Sequence, residues 1–97
     1  MKYALEVDPK AIKEARRIFL YREREKKGSG VRFIEALIAC YSNVRANPYA
    51  YQLRKGGYRH VMLERLKYRV VFEIEENTVF VYQIRHTSRK PSKKFGP

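Results

Sequence analysis

The sequence predicts an α+β domain: a pair of helices laid on one face of an antiparallel sheet, in the order strand, helix, helix, strand, strand, strand. Three observations predict it. Period-two alternation over residues 2–7, and over three stretches between residues 58 and 86, marks strands. Apolar residues three and four apart between Ile12 and Val44 mark two helices, divided by Gly28-Ser29-Gly30. The 97 residues can bury one modest core and not two, so residues 1–97 form a single domain.

The first strand is Lys2–Val7, with Tyr3, Leu5 and Val7 turned one way and Lys2 and Glu6 the other. Asp8-Pro9 then opens a helix, Asp8 as its cap and Pro9 at its first position. The helix runs to about Lys27 on a stripe of Ile12, Ala15, Ile18 and Phe19. The run Arg22–Lys27 favours helix and reads as solvated. Gly28-Ser29-Gly30 ends it, and Ser29 or Gly30 caps a second helix to about Arg45. Phe33, Leu37, Cys40 or Tyr41, and Val44 carry its apolar face, flanked by Ile34 and Ile38, and Asn47-Pro48 stops it. So short a link makes the two helices an antiparallel hairpin. Tyr49–Gly57 reads as a loop.

Three strands complete the chain: Tyr58–Glu64, Lys67–Glu75 and Thr78–His86, joined by turns at Arg65-Leu66 and Glu76-Asn77. Two-residue turns set Glu75 against Thr78, Ile74 against Val79 and Phe72 against Val81. They also set Leu63 against Tyr68 and Val61 against Val70. The face holding Tyr68, Val70, Phe72 and Ile74 receives the helices. The other face then carries Tyr58, His60, Met62, Arg69, Val71, Glu73, Phe80, Tyr82, Ile84 and His86, provided neither turn nor bulge shifts the alternation. A basic tail follows at about 87–97, where Pro91 and Gly96-Pro97 oppose regular structure.

Charge narrows the function. The formal net charge is +12, with +5 in residues 1–53 and +7 in residues 54–97. Such a field suits phosphate backbones, acidic proteins or anionic membranes. No apolar run is long enough to span a bilayer and the N-terminus shows no signal-peptide pattern, so a cytoplasmic setting is expected. Cys40 stands alone among apolar neighbours and reads as a buried structural thiol. No glycine-rich phosphate loop, paired carboxylates or His/Cys metal cluster is present, so neither metal nor cofactor is expected.

The candidate site lies on the face away from the helices. His86 ends a strand between Arg85 and Arg89, where an imidazole can move a proton while arginine holds a phosphate. A strand-end histidine also serves as a plain structural hydrogen bonder. Arg59 and Arg69 each follow a tyrosine, a pairing that offers stacking and phosphate contact, though tyrosine and arginine also suit an ordinary sheet surface. Tyr82, Arg85 and Arg89 complete the target-binding set, and His60 reads as an exposed strand residue.

Several stretches together resemble one family. They are Ala11, Tyr21, Gly28–Phe33, Asn47-Pro48, Tyr58-Arg59, Leu63–Phe72 and Val81–Pro91. In this order the chain resembles the ParE/RelE superfamily of type II toxins over about residues 3–91, and within it the ParE-like plasmid stabilisation branch. The resemblance implies a toxin neutralised by an antitoxin, and the positive charge suits an antitoxin with an acidic binding segment. It implies one of two targets. ParE-like members poison DNA gyrase without being nucleases, whereas RelE-like members cut messenger RNA in the ribosome. The ending His86-Thr87-Ser88-Arg89-Lys90-Pro91 lacks the tyrosine of the RelE pattern and is closer to the ParE-like branch. Gyrase inhibition by binding is therefore the expected function. The alternatives are a metal-independent endoribonuclease with His86 as acid or base, and a non-toxic nucleic-acid-binding domain.

Overall fold

The structure, a computed structural model, describes residues 2–63 and 65–88. The expected tail from Arg89 onward, and Glu64, lie outside the described residues. The elements are β1 (Ala4–Val7), α1 (Pro9–Glu25), α2 (Ser29–Ala46), β2 (Gln52–Leu53), β3 (Arg59–Met62), β4 (Tyr68–Glu75) and β5 (Thr78–His86). The sheet order is β1-β5-β4-β3-β2. Strands β2 to β5 are antiparallel neighbours, and β1 lies parallel to β5. The helical hairpin covers one face, as the sequence predicts. The stretch read as a loop differs: Gln52 and Leu53 pair with His60 and Arg59, between two 3-10 turns. Two residues are too few to show a period.

Asp8 caps α1 as expected, its Oδ1 accepting the Lys10 N–H at 2.8 Å. The buried stripe of α1 is shifted from the expected one. Ala11 and Ile18 are buried and Ala15 packs against the core, while Ile12 is 55% exposed. Ala11, Ala15 and Ile18, four and three apart, form the line that meets the core. On α2 the buried residues are Phe33, Leu37, Cys40 and Val44, and Ile38 faces out. Burial pushes the Cys40 thiol up to about 11, as befits a structural cysteine.

The hairpin turn is held by groups read from sequence as solvated. Gly28 takes φ +90° just before α2, and α2 has no side-chain cap of its own. Glu23 reaches across instead. Its Oε1 accepts the Gly30 N–H at 2.8 Å and the Val31 N–H at 3.2 Å. Backbone N–H bonds, from Gly28 first, hold this carboxyl below its ordinary range despite some desolvation. Arg22 Nε donates to Ser29 O at 3.1 Å. Two helices meet this closely only because residue 30 lacks a side chain. A Cβ there would lie 2.6 Å from Phe19 O and from Glu23 Cγ. Gly30→Ala is expected to destabilise the fold by about 2 kcal/mol, because the clash with backbone outweighs alanine's better helix propensity. A urea titration that placed the variant level with the parent would refute this account of the turn.

The core lies between the hairpin and the inner sheet face, where Phe33, Leu37 and Val44 meet Val70, Phe72, Val79 and Val81. Both hairpin registers follow expectation: Val61 opposes Val70, Leu63 N–H bonds Tyr68 O, and Glu75 opposes Thr78. Arg65 and Glu76 sit at φ +63° and +54° in the two turns.

One irregularity changes the site. The β4–β5 register slips between Val71 and Phe72, so Val71 faces Gln83 while Phe72 faces Val81. Tyr82 is the extra residue of a β-bulge, and the alternation reverses beyond it. Ile84 and His86, expected on the outer face, therefore oppose Val70 and Tyr68 on the helix side.

Candidate functional site

On the outer face β3, β4 and β5 bring basic groups together. Arg69 of β4 lies directly opposite Arg85 of β5 and beside Met62 of β3. Arg54 comes from the segment before β3, which folds back through an Arg54 N–H bond to Tyr58 O. The Arg69 guanidinium is held below its ordinary range by desolvation, and then by the charges of Arg54 and Arg85. Like charges opposite one another destabilise a sheet, so this cluster costs folding energy. Three cations drawn together in this way form a site suited to an anion.

The face around them is densely packed rather than bare. Val71 is fully buried, His60 is 7% exposed and Arg85 is 8% exposed. His60 was expected to be exposed. It lies in register with Val71 and Gln83, between the arginine cluster and an aromatic patch. In that patch the Tyr58 and Tyr82 rings meet edge-on at 5.7 Å. Tyr82 donates its hydroxyl to Glu73 Oε1 at 3.0 Å. Burial first, then that carboxylate, pushes the Tyr82 hydroxyl up to about 12.

His86 sits apart from this cluster. Its ring packs edge-on against Tyr68 at 5.2 Å, and Tyr68 packs in turn against Phe33 at 5.1 Å. The Ser88 N–H donates to His86 Nδ1 at 3.1 Å, so Nδ1 is the acceptor nitrogen. The Ser88 hydroxyl donates to the same atom at 2.6 Å. The neutral ring therefore carries its proton on Nε2.

Arg59 is also on the helix side, in register with Phe72. Its Nη1 donates to Tyr51 O at 2.6 Å and its guanidinium lies over the Tyr49 ring at 5.1 Å. That engagement makes it a tie for the β2 segment rather than a phosphate partner of Arg69. Of the expected site, Arg69, Tyr82 and Arg85 share the outer face, whereas Arg59 and His86 do not. Arg89 lies outside the described residues. Sequence reading missed Arg54, for which a position in an irregular segment gave no signal. Among the described residues no group of three or more His, Cys, Asp or Glu side chains is placed to hold a metal ion. Among them also, no helix is long and apolar enough to cross a membrane.

A family model described as the ParE toxin of the type II toxin–antitoxin system parDE matches residues 5–91. The chain belongs to the ParE toxin family. Solved structures agree with this ParE-type toxin fold. The chromosomal ParDE TA system of P. aeruginosa superposes at a TM-score of 0.80, with 12% identity, covering 90% of this chain and 98% of that one. At that identity the likeness concerns the fold alone. A chain of the intact E. coli RelBE toxin–antitoxin complex is similar at 32% identity and a TM-score of 0.63, covering 90% of this chain and 99% of that one. An E. coli RelE mutant in the free state gives 28% identity and a TM-score of 0.67, covering 91% and 86%. A comparison with curated proteins gave no match. The ParE-family chain is thus a toxin of a toxin–antitoxin system, and the likeness to such complexes supports an antitoxin partner.

Proposed function

We propose that this toxin poisons DNA gyrase by binding it through the outer sheet face, in the cytoplasm, and is neutralised by an antitoxin with an acidic binding segment. The observation that carries this reading is the separation of His86 from Arg69 and Arg85. A nuclease needs its general acid or base within hydrogen-bond reach of the group it serves. The bulge at Tyr82 turns His86 to the helix side, while Arg69 and Arg85 stay on the other face. The outer face keeps what a docking surface needs: concentrated positive charge and tyrosine rings. Such a face binds without chemistry of its own.

The second reading is a ribosome-dependent messenger RNA endoribonuclease. The RelE likeness at 28% and 32% identity favours it, and Arg69 with Arg85 would hold phosphate. No particular feature of the outer face favours a non-toxic nucleic-acid-binding domain.

His86→Ala separates the two main readings. Under induced expression the variant is expected to arrest growth as the parent does, and purified variant is expected to trap gyrase on cleaved DNA. A catalytic histidine would instead cost about 100-fold or more in activity while leaving the melting temperature and antitoxin binding unchanged. That outcome removes the gyrase reading.

A further inference from the structure

The outer sheet face changes sign along its length. At one end stand Arg69 and Arg85, opposite one another on β4 and β5, with Arg54 near enough for its charge to act on Arg69. Four residues further along β4, about 13 Å away, the face turns acidic. There Glu73 of β4 opposes Phe80 of β5, and Phe80 lies in register with Glu6 of β1. Residues paired across neighbouring strands point to the same side, so Glu6 and Glu73 flank Phe80 on the outer face. Glu75, two residues beyond Glu73, shares that face at the end of β4. The chain has a net charge of +12, yet this end of the face is anionic.

Aromatic rings stand beside these carboxylates. Tyr58 and Tyr82 meet at 90° with their centroids 5.7 Å apart, so they form two walls of a corner. The Tyr82 hydroxyl donates to Glu73 Oε1 at 3.0 Å, which sets the carboxylate against the rings. A carboxylate accepts about four hydrogen bonds, so the Tyr82 bond leaves it capacity for a further donor. Tyrosine faces attract an ammonium or guanidinium that comes within about 6 Å of the ring centroid. A nucleic-acid backbone fits such a face poorly. Its phosphates all carry one sign, and Glu6, Glu73 and Glu75 repel them. A protein surface can present both signs in a fixed order.

We propose that the corner of Tyr58, Tyr82 and Glu73 takes a lysine or arginine side chain of the target protein, whose carboxylates meet the arginines about 13 Å away. The docking segment of the target therefore carries both signs, and their order fixes its direction across β4 and β5. Arg69 and Arg85 draw the segment in, and the acidic end rejects partners that are anionic throughout. The inference rests on the docking reading of the outer face, and it adds the chemistry of what docks there.

The test is a titration of isotope-labelled full-length toxin with a threonine-rich peptide, a composition that favours the extended chain. The probe carries a pair of glutamates and, four residues beyond them, a lysine; its control has glutamine in place of the lysine. Saturable amide shifts are expected at Arg69 and Arg85 and also at Glu73 and Phe80, with the control about tenfold weaker. The direction of that difference is decisive. The control is the more acidic peptide, so attraction to net positive charge alone would favour it. Glu73→Lys, and separately Glu6→Lys, are expected to abolish the preference for lysine although each makes the toxin more basic. Glu6 is exposed on an edge strand and takes no part in the Tyr82 bond, and the spectra of the free variants report directly that each is folded. The proposal is overturned by no saturable binding, by a control of equal or greater affinity, by a lysine preference that survives both substitutions, or by a short RNA or DNA duplex whose shifts reach Glu73 and Phe80. Trapping of gyrase by the parent chain, scored separately, tests the proposed target alone.

Discussion

Replacing Phe33 with alanine is expected to remove about 4 kcal/mol of folding free energy, roughly 40% of what a domain this size holds. Phe33 is fully buried, and its ring meets Tyr68 edge-on at 5.1 Å. It joins α2 to β4, so its loss opens a cavity at the interface between the two layers. Tyr68 would also lose the support that fixes it against His86. The melting temperature should fall by about 20 °C. A fall of less than about 5 °C would mean that the layers are held elsewhere.

The second large effect is functional and runs against stability. Arg69→Gln with Arg85→Gln removes two cations that face each other across β4 and β5. Each is expected to contribute about 2 kcal/mol to a target's anionic groups as a charge-assisted bond. The pair together should therefore cost about 1000-fold in target affinity, and growth arrest should disappear. The fold should be retained, because relief of the cross-strand repulsion, worth about 0.5 kcal/mol, offsets part of what the buried Arg85 contributes. Clustered like charge that lowers stability while serving a target is a known trade-off. A double variant that still arrests growth would move the working surface away from the outer face.

Most of the fold was legible in the sequence because two periods differ so plainly. Asp8-Pro9, Gly28 and Asn47-Pro48 punctuate the helices, and the two-residue turns at residues 65–66 and 76–77 set registers that the structure keeps. The bulge was not legible. Val79, Val81, Ile84 and Arg85 form a stretch where apolar and polar residues satisfy either alternation, and nothing near Tyr82 resembles a glycine kink. One extra residue there reversed the faces of Ile84 and His86 and dissolved the expected pairing of His86 with Arg69. Arg59 failed for a different reason. Its partners Tyr51 and Tyr49 lie in a segment without periodicity, so the tie between them had no sequence signature. Glu23 looked like one charge among many, and only the hairpin geometry makes it the cap of α2. Arg69 and Tyr82 were found because alternation leaves them on the outer face, whereas Arg85, which the same alternation places on the helix side, reaches the outer face only through the bulge.

The most direct test scores DNA damage and protein synthesis in one culture after induced expression of the unmodified chain. A toxin that clamps a DNA-processing enzyme through a cationic strand surface should switch on the damage response within the first generations while amino-acid incorporation continues. Prompt collapse of incorporation, with cut messages and a silent damage reporter, would contradict it.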